Sequence, residues 1–236
     1  MSADSPDPAA VPRAACVVVA AGRGERLAAG RPKALVDLDG LPLLVRALEG
    51  VRRGGLGDVV VVAPEPFLDE VLALCGPQVS VVAGGSTRQQ SVLAGLGALR
   101  PDVEVVLVHD AARCLTPSSV FVAVLDALAA GHRAVVPGVP VTDTLRRRSG
   151  GMVDRDTLVA VQTPQGFVRQ VLEAAHRAGA ERLGAGATDD AGLVEALGVP
   201  VHLVAGHEES FKVTGALDLV LAEGVLVRRR VVAATP

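Results

Sequence analysis

The chain has 236 residues, half of them hydrophobic, and a formal net charge of −3. That length favours one large α/β domain over two small ones, and that charge argues against a general nucleic-acid binder, so any cationic site must be local. The mean hydropathy of +0.41 does not make a membrane protein, because the longest uncharged run, 71–87, is broken by Gly76-Pro77 and ends in polar residues.

Trp and Tyr are absent, and Phe67, Phe121, Phe167 and Phe211 are the only aromatic residues of the Phe, Trp and Tyr class. The core must be built from Val, Leu and Ala, and a bound base would be recognised by backbone groups and small side chains rather than by stacking. Cys16, Cys75 and Cys114 lack any C-x-x-C spacing; they read as buried small hydrophobes, not as a disulfide framework or a zinc site. Residues 1–12 hold prolines, alanines and two aspartates without an apolar block, which implies a disordered tail, no secretory signal and a cytoplasmic protein. The folded unit is expected over 13–230.

The first strand runs out of Val17-Val18-Val19 into small residues at Ala20, and the loop to Leu35 carries Arg23, Arg26, Arg31 and Lys33. A strand that opens into a glycine-rich turn with free N–H groups and fixed cations is an anion site, and the natural anion is a polyphosphate. The dinucleotide pattern fails, since Leu27 stands where the third glycine belongs, and no G-x(4)-G-K-S/T occurs. A helix over 42–53 then stops at Gly54-Gly55, and 58–63 (DVVVVA) reads as a strand buried on both faces. Helix 67–74, strand 79–82, helix 89–99, strand 104–108, helix 118–130 and strand 134–137 continue the alternation.

Strands alternating with helices imply a mostly parallel, Rossmann-like sheet covered on both faces, with ligands bound beyond the carboxyl ends of the strands. Residues 20–24, 84–88 and 109–113 follow successive strands and are small, cationic or acidic, so they line one rim. From 141 to 161 the pattern weakens around Ser149-Gly150-Gly151, which reads as a projecting hairpin-like arm. Beyond it, 168–178 and 189–197 are expected to be helical, the second with Thr188 as N-cap. Strands are expected at 200–204 and 211–214, and a closing helix at 217–230. His109 reads as a packed neighbour, Asp110 in isolation as a helix cap, and Arg146–Arg148 and Arg228–Arg230 as solvated faces.

Seven blocks now stand in order: A-A-G-x-G-x-R at 20–26 with R-P-K at 31–33, GGSTRQQSVLAGL at 84–96, VLVHDAAR at 106–113, PVTDT at 140–144, QTPQGF at 162–167, TDDA at 188–191 and FKVT at 211–214. Together they resemble the 2-C-methyl-D-erythritol 4-phosphate cytidylyltransferases, over nearly the whole chain after the tail. Ribitol 5-phosphate cytidylyltransferases look similar. The resemblance implies one nucleotidyltransferase domain that uses CTP and a polyol phosphate with Mg²⁺. It further implies a homodimer whose arm completes the partner's site. By matching position, Ala20, Ala21, Gly22, Gly24, Gly84, Gly85, Ser91 and Ala111 would bind the nucleotide. Arg26, Lys33, Lys212 and Asp110 would be catalytic, and Arg113, Thr144, Arg155, Thr163 and Thr188 would bind the acceptor, with Arg155 reaching across the dimer. Protein ligands to the metal are not implied, since the CTP phosphates would hold most of it. Two departures concern loop stiffness: Val19 and Cys114 stand where the family usually has Pro. A third is a shorter stretch between Thr144 and Arg155, from which a trimmed arm is expected. A reading from another class, a nucleotide-binding regulator without turnover, is disfavoured by the complete cationic set.

Overall fold

The computed structural model describes residues 12–22, 30–181 and 189–234; all but the last residue of the expected tail, with Arg23, Gly24, Arg26 and Thr188, lies outside the described residues. β1 (Ala14–Val19) leads, past a 3-10 turn at Lys33–Leu35, into a two-strand ribbon of β2 (Asp37–Leu38) and β3 (Leu41–Pro42). α1 (Leu43–Arg53), β4 (Asp58–Ala63), α2 (Leu68–Cys75), β5 (Val79–Ala83) and α3 (Arg88–Gly97) follow. β6 (Val105–Asp110), α4 (Ser118–Ala129) and β7 (Ala134–Pro140) complete the alternation.

The arm holds a ribbon of β8 (Leu145–Arg146) and β9 (Met152–Val153), then a 3-10 turn at Arg155–Thr157, and returns as β10 (Val159–Val161). β11 (Gln165–Val168), α5 (Arg169–Glu181), α6 (Asp190–Glu195), β12 (His202–Ala205) and α7 (Ala216–Ala234) close the chain.

The main sheet has the order β10-β7-β11-β6-β1-β4-β5, with β12 also paired to β7. β1 pairs in parallel with β4 and β6, and β4 with β5; β11 is antiparallel to β6 and β7, and β10 antiparallel to β7. The alternation of side chains assigns the two faces. Cys16, Val18, Val59 and Val61 pack towards α1, α2 and α4, whereas Ala15, Val17, Val60 and Val62 pack with residues of α3, α5 and α6. α1 buries Leu43, Leu44, Ala47, Leu48 and Val51, a one-sided apolar stripe. α3 lies close on β1 at Gly95, where a Cβ would come within 2.5 Å of Val17.

Several expectations are corrected. β11 was not foreseen, because a four-residue QGFV with an internal glycine carries almost no strand pattern; its pairing with β6 and β7 comes from the sheet around it. Residues 211–214 form no strand: a 3-10 turn at Glu208–Ser210 precedes them, and Val213 N–H bonds the Ala112 carbonyl at 2.9 Å outside any ladder. α6 is capped by Asp189, whose carboxylate accepts from Gly192 N–H, in place of the expected Thr188.

β1 sits between β4, which follows it in the chain, and β6, which the chain reaches only after β5. The strand order therefore reverses at the β1/β6 boundary, and the crevice beyond the carboxyl ends there is where such sheets bind ligands.

Candidate active site

A cleft of about 380 Å³ opens at that boundary, lined by Ala20, Ala21, Gly22, Lys33, Gly85, Ser91, Asp110, Ala111 and Lys212 among others. Ala20 N–H bonds the Val62 carbonyl at 2.8 Å and Ala111 N–H bonds the Val19 carbonyl at 3.1 Å, so both ends of the crevice are tied to the sheet. Gly84 leaves β5 with its N–H on the Ala63 carbonyl at 2.8 Å. A Cβ there would meet Ala21 Cβ at 2.5 Å and Ser91 Oγ at 2.9 Å, so glycine is what lets the two loops meet. Ser91 Oγ donates to the Thr87 carbonyl at 2.9 Å and accepts from Gly85 N–H at 3.2 Å. Thr87 Oγ1 caps α3 by accepting from Gln90 N–H at 3.1 Å. The turn that faces the cleft is thus held by its own hydroxyls.

Asp110 ends β6 and caps no helix; it is a charge hub. Lys212 Nζ lies 2.6 Å from Oδ2 and Arg88 Nε 3.5 Å from Oδ1. Burial opposes its ionisation, but Lys212 and Arg88 outweigh that and hold its pKa at about 2. Its own N–H donates to Thr163 Oγ1 at 3.0 Å, and the same hydroxyl meets His109 Nδ1 at 3.1 Å. His109 is fully buried, with its ring 5.0 Å from that of Phe121. Burial pushes its pKa down to about 4, so it is the packed neighbour the sequence implied.

Arg88 carries a second link. Its NH1 lies 2.7 Å from Asp190 Oδ2, and Asp190 Oδ1 lies 2.9 Å from His176 Nε2, both acid and imidazole fully buried. Burial disfavours the charged guanidinium, but Asp190 and Asp110 reverse this and raise its pKa. A line of paired polar side chains therefore runs Lys212, Asp110, Arg88, Asp190, His176 from the cleft into the core. Sequence reading placed Arg88 on the rim without giving it a role. The signal was present in the TDDA block, but which carboxylate reaches Arg88 depends on where α6 lies.

The acceptor residues divide. Thr163 is at the hub. Arg113 donates to the Ser210 carbonyl at 2.6 Å and to the Val161 carbonyl at 3.2 Å, joining the Asp110 loop to the end of β10 and to the approach to Lys212. Thr144 and Arg155 are exposed on the arm and do not line the cleft; the Arg155 guanidinium donates to the Thr142 carbonyl. Arg31, one of the loop cations, pairs with Glu70. Arg228 and Arg230 are exposed, as a solvated face implies, while Arg229 is half-buried; Arg228 and Arg229 both hold Glu209, and Arg230 lies 3.0 Å from Asp39. No group of three His, Cys, Asp or Glu that could hold a metal occurs among the described residues. Asp110 is the one carboxylate among the described residues lining the cleft.

A model of the family described as IspD: 2-C-methyl-D-erythritol 4-phosphate cytidylyltransferase matches residues 14–228. The cytidylyltransferase of that name from Frankia casuarinae is 53% identical over 227 residues, spanning 94% of this chain and 84% of the relative. Its namesake from Streptomyces avermitilis is 46% identical over 250 residues, spanning 98% of each chain. Among solved structures, the Thermus thermophilus 2-C-methyl-D-erythritol 4-phosphate cytidylyltransferase superposes with a TM-score of 0.75 at 39% identity, covering 89% of this chain and 98% of the other. The 4-diphosphocytidyl-2C-methyl-D-erythritol synthase of Anaerococcus prevotii, 24% identical, shows the same fold with a TM-score of 0.81, covering 92% of this chain and all of the other.

Proposed function

The chain belongs to the 2-C-methyl-D-erythritol 4-phosphate cytidylyltransferase family, and from that premise we propose how its cleft works. It is a nucleotidyltransferase of isoprenoid biosynthesis that uses CTP to form 4-diphosphocytidyl-2-C-methyl-D-erythritol. A phosphate oxygen of the acceptor attacks the α-phosphorus of CTP, the new P–O bond forms, and pyrophosphate leaves with the electrons of the broken bond.

Both reactants are anions, so repulsion is the first problem to solve. The acceptor oxygen is already ionised near neutral pH, and no strong base is required; His109, buried against Thr163, is not placed to act as one. The backbone of 20–22 and Gly85 cradle the nucleotide, Lys33 and Arg26 hold its phosphates, and Lys212 faces the charge that builds at phosphorus. Asp110 keeps Lys212 on station. Positioning and charge stabilisation carry the catalysis. A Mg²⁺ ion suits this cleft as a passenger of the triphosphate, since Asp110 is the one carboxylate among the described residues lining it; when bound it neutralises phosphate charge.

The observation that carries this reading is the Asp110–Lys212 pair at 2.6 Å beside Lys33 in the switch-point cleft. A homodimer is supported by the arm, where Met152, Leu158, Val159 and Val161 are exposed apolar residues, and we place the acceptor-binding role of Arg155 in the partner's cleft. No helix among the described residues is long and apolar enough to cross a membrane; we assign the enzyme to the cytoplasm. Pyrophosphate release from CTP and Mg²⁺ tests the whole reading, with 2-C-methyl-D-erythritol 4-phosphate compared against D-ribitol 5-phosphate at equal concentration. Preference for the first is expected; preference for the second, or turnover of neither, overturns it.

A further inference from the structure

Behind the loop that follows Asp110 lies a second cavity of about 670 Å³, larger than the cleft and bounded by α1, α4 and α7. Five arginines line it, Arg46 and Arg53 from α1 and Arg228–Arg230 from α7, against the three carboxylates Asp39, Glu49 and Glu209. Two positive charges are therefore left over. Arg228 and Arg229 converge on one carboxylate, Glu209. The side chains of Arg53, Arg228 and Arg230 keep 69%, 64% and 62% of their surface exposed, leaving guanidinium donors open to a ligand. Ser118, at the start of α4, also lines the cavity, and this 12-residue helix has Pro117 at its N-cap with no side-chain cap. Its first N–H groups add a positive pole.

We propose that this cavity is a second anion site, separate from the CTP cleft, which takes a small molecule carrying a diphosphate. Guanidinium forks match phosphate oxygens in pairs. Arginines arriving from two helices suit a two-centre anion better than a single phosphate. An overall charge of −3 and a bounded volume exclude a nucleic acid backbone as the occupant.

Glu209 links this site to the cleft. It stands three residues before Lys212; between them the Ser210 carbonyl accepts from Arg113 at 2.6 Å, and just after Lys212 the Val213 N–H bonds the Ala112 carbonyl. A diphosphate that competes with Glu209 for Arg228 and Arg229 loosens the segment that presents Lys212 to Asp110.

Isothermal titration of the full chain with inorganic pyrophosphate, in the absence of CTP, tests the site. Two equivalents are expected. Lys33→Ala removes the one in the cleft, while Arg53→Gln weakens the other by about tenfold or more and leaves the first unchanged. Arg53 is exposed and its partner Glu49 lies on the same helix one turn away, so the variant keeps its fold, which its circular dichroism and melting temperature verify. A single equivalent abolished by Lys33→Ala overturns the second site, and equal affinity for inorganic phosphate overturns the diphosphate class. The readout is binding, so its failure leaves the cytidylyltransferase reading standing; the acceptor comparison decides that reading on its own.

Discussion

Asp110 and His109 are chain neighbours with opposite fates. Asp110 is drawn between Lys212 and Arg88 and stays ionised to about pH 2; for His109, full burial outweighs the attraction of the neighbouring Asp110, and it stays neutral down to about pH 4. An unfolded imidazole takes up its proton near pH 6.5. Between pH 6.5 and 4 the unfolded chain therefore holds a proton that the native chain lacks, and stability rises with pH across that window. Acidification through it is expected to cost on the order of 3 kcal/mol from this one group. Asp110 adds its own loss only lower, as pH falls from its unfolded value near 4 towards 2. Urea midpoints measured from pH 7 to 4 should fall in the wild type and flatten in His109→Gln. An unchanged slope in the variant would remove His109 from the account.

At the scale of elements, the contact between the turn after β5 and the turn after β1 decides the cleft. Gly84→Ala places a methyl group 2.5 Å from Ala21 Cβ, and Ala21 lines the cleft. The turn after β1 must then shift, with an expected loss of about 1–3 kcal/mol in stability and a raised KM for CTP. A variant with wild-type melting temperature and KM would show that the two turns give way freely. The start of α6 carries the complementary lesson. TDDA offers three capping side chains in a row, and the fold separates their jobs. Asp189 Oδ1 accepts from Gly192 N–H at 3.0 Å while its Oδ2 accepts from Gln165 at 2.8 Å; Asp190 faces His176 and Arg88 in the core. No pattern in four letters distinguishes a cap from a buried counter-ion.

At the scale of the molecule, the arm leaves the sheet after β7 and returns as the edge strand β10, whose three residues are all exposed. An exposed apolar edge invites a partner, and the two-fold dimer proposed above would give each cleft the other subunit's arm. If Arg155 acts across that interface, Arg155→Ala and Lys33→Ala homodimers are each inactive, yet subunit exchange between equal amounts restores about a quarter of the wild-type sites. No recovery in exchanged dimers, verified by mass, would confine Arg155 to its own subunit. The sequence by itself determined the rim. Apolar strands that end in glycines, cations and one acid must place those residues at the carboxyl edge of a parallel sheet, and α1, β4 and α4 lie within a residue or so of where periodicity and glycine put them. Only the tertiary structure decided who faces whom. Lys212 meets Asp110 across 102 positions, Arg88 finds both Asp110 and Asp190, Glu209 gathers two arginines, and β11 slips in antiparallel beside β6. Periodicity encodes which face of an element is buried, whereas charge pairing depends on what the rest of the chain brings opposite that face.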